Sequence, residues 1–205
     1  SREQDHWLPD WIFGKRRAPA GRPGRHDQDH ALALAVSGEF RFERLTRVHE
    51  KDMVEFAEEF RVEGDDHLDQ LIDHPDAFFE LADRFEFDRD LPDDGVPMSQ
   101  YLLFEDDQVV AMSSLRRRLI QVLLLDGGNI GYKVRTTARR RGFAKEVLRQ
   151  TLDEARGIGL DRVLLTAEDS NLASIRVIEN AGGLRDSDSI SPRTGNRIRR
   201  FWIDL

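Results

Sequence analysis

Residues 134–148 read VRTTARRRGFAKEVL, three consecutive arginines set against a glycine at the mouth of a helical pattern. From Ala144 the apolar residues Val147, Leu148, Leu152 and Ala155 follow at offsets of 3, 4, 8 and 11, the stripe of a 3.6-residue period, and Gly157 and Gly159 close it. Upstream, LLLDGGNIGYKV (123–134) reads as a strand ending near Val134. A strand that passes through a glycine turn into a helix aims unpaired backbone N–H groups and the positive end of a helix dipole at one point, which is an anion site. Gly142 brings the backbone close to a ligand with no Cβ in the way. Arg139, Arg140, Arg141 and Lys145 add positive charge around a phosphate. A solvated helix start and a nucleic-acid patch fit the same fifteen residues, and the rest of the chain separates the three.

Charge argues against nucleic acid. The 205 residues carry 31 Lys and Arg against 39 Asp and Glu, net −8, whereas nonspecific nucleic-acid binding needs a positive field that releases counterions from phosphate. The charge is unevenly spread: residues 48–107 hold 21 acidic and 4 basic side chains, net −17, while residues 115–150 hold 10 basic and 2 acidic, net +8. One half repels phosphate and the other attracts it. With no cysteine there is no disulfide, thiolate zinc site or cysteine nucleophile, a composition that a reducing cytoplasm permits. The longest apolar runs, such as LIQVLLL at 119–125, fall far short of the roughly 18 residues a membrane span needs. A soluble, cytoplasmic protein with one main domain is expected.

Residues 1–37, which include GKRRAPAGRPGRHDQDH, are rich in Gly, Pro and Arg with little apolar periodicity and read as a flexible N-terminal extension. His26 and His30 stand four apart as two metal ligands on a helix would, but neighbouring Pro and Gly oppose a helix and the glutamate of that motif is missing, so no metal site is expected. Order begins at FRFERL (40–45), which alternates like a half-buried strand. Met53, Val54, Phe56, Ala57 and Phe60 mark a helix over 50–60, and Phe78, Phe79, Leu81 and Ala82 a second over 76–84. YLLFEDDQVVAMSSL reads as strands 101–104 and 109–115 joined by a tight acidic turn. Beyond the opening stretch come a buried strand DRVLLTA and a helix NLASIRVIENAGG, capped by Asn171 and closed by glycines. In the last strand, NRIRRFWIDL, Ile198, Phe201 and Ile203 do not alternate, which predicts a bulge or burial on both faces. The order β, α, α, β, β, β, α, β, α, β describes one α/β domain over 38–205.

RRRGFA at 139–144 resembles the acyl-CoA pyrophosphate-binding motif of the GCN5-related N-acetyltransferase (GNAT) superfamily, Arg/Gln-x-x-Gly-x-Gly/Ala, with Arg139, Gly142 and Ala144 in the defining places. The order and spacing of GGNIGYKVRTTARRRGFAKEVL (127–148), IGLDRVLLTAEDSNLASIRVIENAGG (158–183) and RIRRFWIDL (197–205) are similar to a bacterial branch of predicted acetyltransferases in that superfamily. The resemblance implies a mixed, mostly antiparallel sheet of six to seven strands, flanked by helices and splayed at strands four and five, with acyl-CoA in the cleft. It implies that Lys133, Val134 and Arg135 pair by backbone with the pantetheine, and that a free N–H at a bulge near Val134 is the oxyanion donor. The N–H groups of Arg140, Arg141, Gly142, Phe143 and Ala144 would hold the pyrophosphate. Asn171 matches an asparagine that lies along the pantetheine arm, and Ser174 a small residue beside it.

Two family positions are changed. The tyrosine that protonates the leaving thiolate in many members is Ile178 here, and the strand-four glutamate base of the histone-modifying branch falls at Gly128. The general base is thus unknown; a water chain, Glu63 and Glu105 are the candidates. Acyl transfer remains feasible, because a thioester is already activated and positioning plus oxyanion stabilisation contribute most. The resulting expectation is an N-acetyltransferase that moves an acetyl group from acetyl-CoA to a primary amine, directly in a ternary complex. In the resembled fold the −17 segment walls the acceptor side, which favours a cationic amine on a small molecule or a protein. The alternative is a degenerate acyl-CoA-binding sensor without catalysis. Neither nucleic acid nor membrane is expected as a partner, and a homodimer is allowed.

Overall fold

The alternating FRFER forms β1 (Phe40–Arg44), which pairs antiparallel with β2 (Met98–Glu105). At the acidic turn Asp106 takes left-handed backbone, φ +51°, and the chain reverses into β3 (Gln108–Arg116). β3 pairs antiparallel with β4 (Ile130–Val134), completing a sheet in the order β1-β2-β3-β4. A second sheet is built around β8 (Arg197–Asp204), which pairs with β5 (Arg162–Glu168) on one edge and with the two-residue strands β6 (Leu184–Arg185) and β7 (Ser189–Ile190) on the other. The computed structural model describes residues 40–205. The extension read over 1–37, with His26 and His30, lies outside the described residues.

Helices cover both faces. α1 (Glu50–Val62), α2 (Asp69–Asp73) and α3 (Pro75–Glu86) bury Phe56, Phe60, Leu71, Phe78 and Phe85 against Leu102, Phe104 and Met112 of the first sheet. On the other face α5 (Phe143–Gly157) and α6 (Leu172–Asn180) bury Leu148, Leu152, Ile175 and Ile178 against Leu115, Val163, Leu165 and Phe201. β2 and β3 are therefore covered on both sides, and this is why their sequences run apolar rather than alternating.

The eight strands exceed the six to seven expected because β6 and β7 are too short to carry a pattern. Two other segments also escaped the periodicity: α2 is five residues long, and α4 (Gln121–Leu125) turns part of the apolar run that read as strand into a single helical turn. β8 keeps a continuous register with β5 from Asp204 to Ile198, so its irregular apolar spacing comes not from a bulge there but from burial on both faces, Ile198 on one and Phe201 and Ile203 on the other.

The break between the sheets falls between β4 and β5, as the resemblance implies. Asn129, one residue before β4, joins them there. Its N–H donates to the Leu164 carbonyl (2.7 Å), its Oδ1 accepts from the Leu164 N–H (2.8 Å), and its Nδ2 donates to the Arg116 carbonyl (3.0 Å). The preceding Gly128 has φ +63°, and a Cβ there would fall 2.3 Å from the Leu164 oxygen. The position that holds a glutamate base in part of the resembled family is thus filled by the backbone of β5.

Candidate active site

Past Asn129 the strands part and leave a cleft of about 650 Å³, lined by β4, the 139–145 turn, β5 and the start of α6. Two hydrogen bonds fix which backbone groups of β4 face it. The Arg116 N–H donates to Asn129 O (2.7 Å) and the Arg135 N–H to Val110 O (2.9 Å). With the register running from Ile130↔Leu115 to Val134↔Ala111, antiparallel alternation directs the backbone groups of Gly131, Lys133 and Arg135 into β3 and those of Ile130, Tyr132 and Val134 toward the open edge. The backbone N–H of Val134 therefore faces the open edge and not β3. The expected pairing of Lys133 and Arg135 with pantetheine does not fit this alternation, because β3 already takes their backbones. The bulge expected near Val134 is also displaced: β4 pairs regularly, and the register shift lies across from it in β3, where Val110 is the extra residue.

The turn matches its sequence reading in the backbone. Arg140 has φ +63° and Gly142, the residue before α5, has φ +92°. Among the described residues none of the N–H groups of Arg140, Arg141, Gly142, Phe143 and Ala144 donates to a carbonyl; the next two, of Lys145 and Glu146, bond to Gly142 O at 3.0 and 3.1 Å. Five such groups around left-handed residues at a helix start make a concave anion cradle. This is the fit expected for a pyrophosphate.

The side chains depart from the reading. Arg139 is held bidentate by Glu63 (3.2 and 2.8 Å), Arg141 bonds Glu105 (2.6 Å), Arg135 bonds Glu59 (3.2 Å), and Lys133 bonds Asp65 (2.8 Å). Four cations of the basic half thus fasten α1, the loop behind it and the β2–β3 hairpin to the cofactor turn. Arg140 and Lys145 line the cleft and form no salt bridge among the described residues. Arg135 and Arg141 lie outside the cleft lining, and Arg135 is buried over the ring of Phe56. Glu63 and Glu105, the two carboxylates considered as bases, are both bound by guanidinium groups, and neither lines the cleft.

On the far wall Asn171 caps α6, its Oδ1 accepting from the Ser174 N–H (3.2 Å), and both residues line the cleft. Ser174 Oγ shares a hydrogen bond with the Tyr132 hydroxyl (2.8 Å), which ties β4 to α6 across the opening. Ile178 lies at 1% exposure, also on the lining. Tyr132 and Asn129 were not singled out in the sequence, where both fall inside the stretch 123–134 that reads as a strand ending near Val134.

A third group went unnoticed, at the loop 63–68. Asp65 accepts from Lys133 Nζ and pairs with His67 Nδ1 (2.6 Å). Burial alone would raise the Asp65 carboxyl, but the hydrogen bond with His67 and the Lys133 ammonium outweigh it and hold the group well below the usual carboxylate range. Asp65, Asp66 and His67 are close enough to suggest a metal centre. The ammonium on both oxygens of Asp65 instead makes them part of an ion-pair network.

A family model of the acetyltransferase (GNAT) domain matches residues 44–183. No curated protein matches the sequence. Among solved structures, yncA of Salmonella typhimurium with its cofactor acetyl-CoA aligns at TM-score 0.54 and 14% identity, covering 81% of this chain and 94% of its own. RimL, the ribosomal L7/L12 alpha-N-protein acetyltransferase in complex with coenzyme A, aligns at 0.62 and 12%, covering 84% and 97%. A chimera of the spermidine N-acetyltransferase SpeG from Vibrio cholerae aligns at 0.60 and 11%, covering 80% and 94%. At these identities the structures speak for the fold, and the family model, which spans most of the chain, speaks for the relationship. The chain belongs to the GNAT acetyltransferase family.

Proposed function

We propose that the protein transfers the acetyl group of acetyl-CoA directly to a cationic primary amine, with both substrates bound at once. The observation that carries this reading is the meeting of two sets of backbone donors at one cleft: the 140–144 N–H groups at its mouth and the open edge of β4 along its wall. In this reading the turn holds the pyrophosphate, helped by Arg140 and Lys145. The pantetheine arm lies along β4 with Asn171 beside it. The N–H of Val134 receives the thioester oxygen as negative charge develops there, an interaction stronger in the transition state than in the ground state.

Gly142→Val tests the donor half. A β-branched residue is strained at φ +92° and places a side chain where the cradle opens. Acetyl-CoA affinity should fall at least tenfold, about 1.4 kcal/mol. Calorimetry that returns the parent affinity would remove the phosphate-turn assignment. Steady-state release of CoA with a panel of amines separates an enzyme from an acyl-CoA sensor, which would bind the donor and release nothing.

The acceptor half rests on carboxylates other than the four that fasten Lys133, Arg135, Arg139 and Arg141. Asp66 is exposed beside His67, and Asp52, Glu55, Asp106 and Asp107 line a second, shallow cavity of about 390 Å³ next to Arg135. Such a field concentrates cations, over a range of roughly 10 Å at 0.1 M salt. Cationic amines should therefore show higher kcat/KM than matched anionic ones, with the advantage shrinking as salt is added. Equal, salt-insensitive values for both would leave the acidic half as a solubilising surface.

A further inference from the structure

Acetyl transfer to an amine leaves one proton without an acceptor. An aliphatic amine has a pKa near ~10 and arrives as an ammonium, whose nitrogen has no lone pair to attack with. Ile178 and Gly128 offer no base, and Glu63 and Glu105 are engaged by arginines.

The Asp65–His67 pair lies on the side that the acyl donor leaves open. Tyr132 reaches α6, on the face where the 140–144 turn and the α6 cap would receive the donor. Its neighbour Lys133 projects to the opposite face, where its ammonium sits 5.0 Å from the ring centroid of Phe60 in α1 and bonds both oxygens of Asp65 at 3.0 and 2.8 Å. Lys133 also directly precedes Val134, so Asp65 is anchored one residue from the proposed oxyanion donor. An amine must approach the carbonyl from a side not occupied by the donor's own arm, and the Lys133–Asp65 ion pair sets the loop 63–68 on that opposite face of β4.

The geometry also sets the tautomer. Asp65 is held ionised and can only accept, so the 2.6 Å contact places the proton of a neutral His67 ring on Nδ1 and the lone pair on Nε2. Nε2 has no hydrogen-bond partner among the described residues and is not sealed from solvent. The charged groups facing the ring are Asp65, Asp66 at 3.9 Å, and Lys133 through Asp65.

We propose that His67 is the proton acceptor for the incoming amine and that Asp65, anchored by Lys133, is the residue that positions it; the proposal rests on the acetyl-transfer reading above. Nε2 takes one proton from R–NH3⁺, giving R–NH2 and an imidazolium. The freed lone pair forms the C–N bond to the thioester carbon. The tetrahedral adduct then breaks its C–S bond, a second nitrogen proton passes to the leaving sulfur, and the imidazolium returns its proton to water. Ammonium and acetyl-CoA thus yield the acetamide, the CoA thiol and one solvent proton.

The test compares the full chain with His67→Gln, using acetyl-CoA with 1,4-diaminobutane and a short lysine peptide as amine probes. For the variant, kcat/KM at pH 7 should fall about 10²- to 10³-fold, within the usual range for loss of a general base, while acetyl-CoA affinity and melting temperature stay near those of the parent. In the parent, kcat/KM should rise with pH and level off well below the ~10 of the amine. In the variant it should keep climbing tenfold per pH unit, because only free amine then reacts. Asp65→Asn should shift the levelling point without abolishing it. Parent-like turnover and an unchanged pH profile in His67→Gln would overturn the proposal while leaving acetyl transfer intact. A parent that binds acetyl-CoA but acetylates neither probe would instead count against the transfer reading and take this proposal with it. If the variant fails to fold, ¹⁵N spectra of the parent's imidazoles decide: a neutral His67 protonated on Nε2 would overturn the assignment, and one protonated on Nδ1 is the expected result.

Discussion

Replacing Lys133 by methionine should lower the unfolding free energy by about 3–5 kcal/mol, the usual cost of leaving one partner of a buried ion pair uncompensated. The side chains of Lys133 and Asp65 are only 11% and 9% exposed, so solvent screens the pair weakly. Methionine keeps the aliphatic stem over Phe60 and removes only the charge. The effect also has a pH signature. Asp65 is depressed in the folded protein, so its stabilising contribution is complete above the ~3.9 of an unfolded aspartate and is lost as pH falls through that value toward the folded one. The hydrogen bond with His67 lowers the group most and the Lys133 ammonium next, so the part of the deficit that belongs to Lys133 should shrink below about pH 4. Urea denaturation at pH 7 and pH 3 measures both quantities. A deficit below 1 kcal/mol at neutral pH, or one that does not change with acid, would show that the pair is solvated rather than buried.

This pair shows what the sequence could and could not disclose. The acidic and basic segments are plain in the composition, and a net −17 next to a net +8 suggests two separate fields. In the fold they interlock: Glu59, Glu63, Asp65 and Glu105 meet Arg135, Arg139, Lys133 and Arg141 across 36 to 76 residues of chain. Long-range pairing of this kind has no local period, so three arginines in a row read as phosphate ligands when two of them are fasteners. The backbone of the same stretch was legible, because a glycine at a left-handed position and a 3.6-residue stripe are local facts. For the same reason the hairpin β2–β3, the cap at Asn171 and the apolar stripes of α1 and α5 fall where the residues put them. The split between β4 and β5 was accessible only through the family resemblance. Its physical cause, the Asn129 side chain standing in for a strand neighbour, requires Leu164 to be brought beside it, and nothing within ten residues of Asn129 says so.

Ile178→Ala should cost about 2–5 kcal/mol of stability, the range for truncating a fully buried aliphatic side chain and leaving a cavity. Ile178 is 1% exposed in the cluster that joins α6 to β5, β8 and α5. The chain beyond α6 is built around it: a Cβ at Gly183 would come within 2.7 Å of its Cγ2 and 2.8 Å of its carbonyl oxygen, so the turn into β6 closes only with glycine there and leaves little slack to collapse into the gap. The cost should therefore lie in the upper part of the range. The same side chain lines the cleft at the place where many relatives are implied to carry a proton-donating tyrosine. An alkyl group has no proton to give, and the shape of the pH profile for turnover should be the same before and after truncation once the loss of folded protein is corrected for. Chemical denaturation and a pH–rate series on one preparation check both halves. An unchanged denaturation midpoint together with a shifted pH profile would mean that the residue contacts the reacting groups through ordered solvent, and the thiol's proton would then have to be traced through this wall of the cleft rather than from the amine nitrogen.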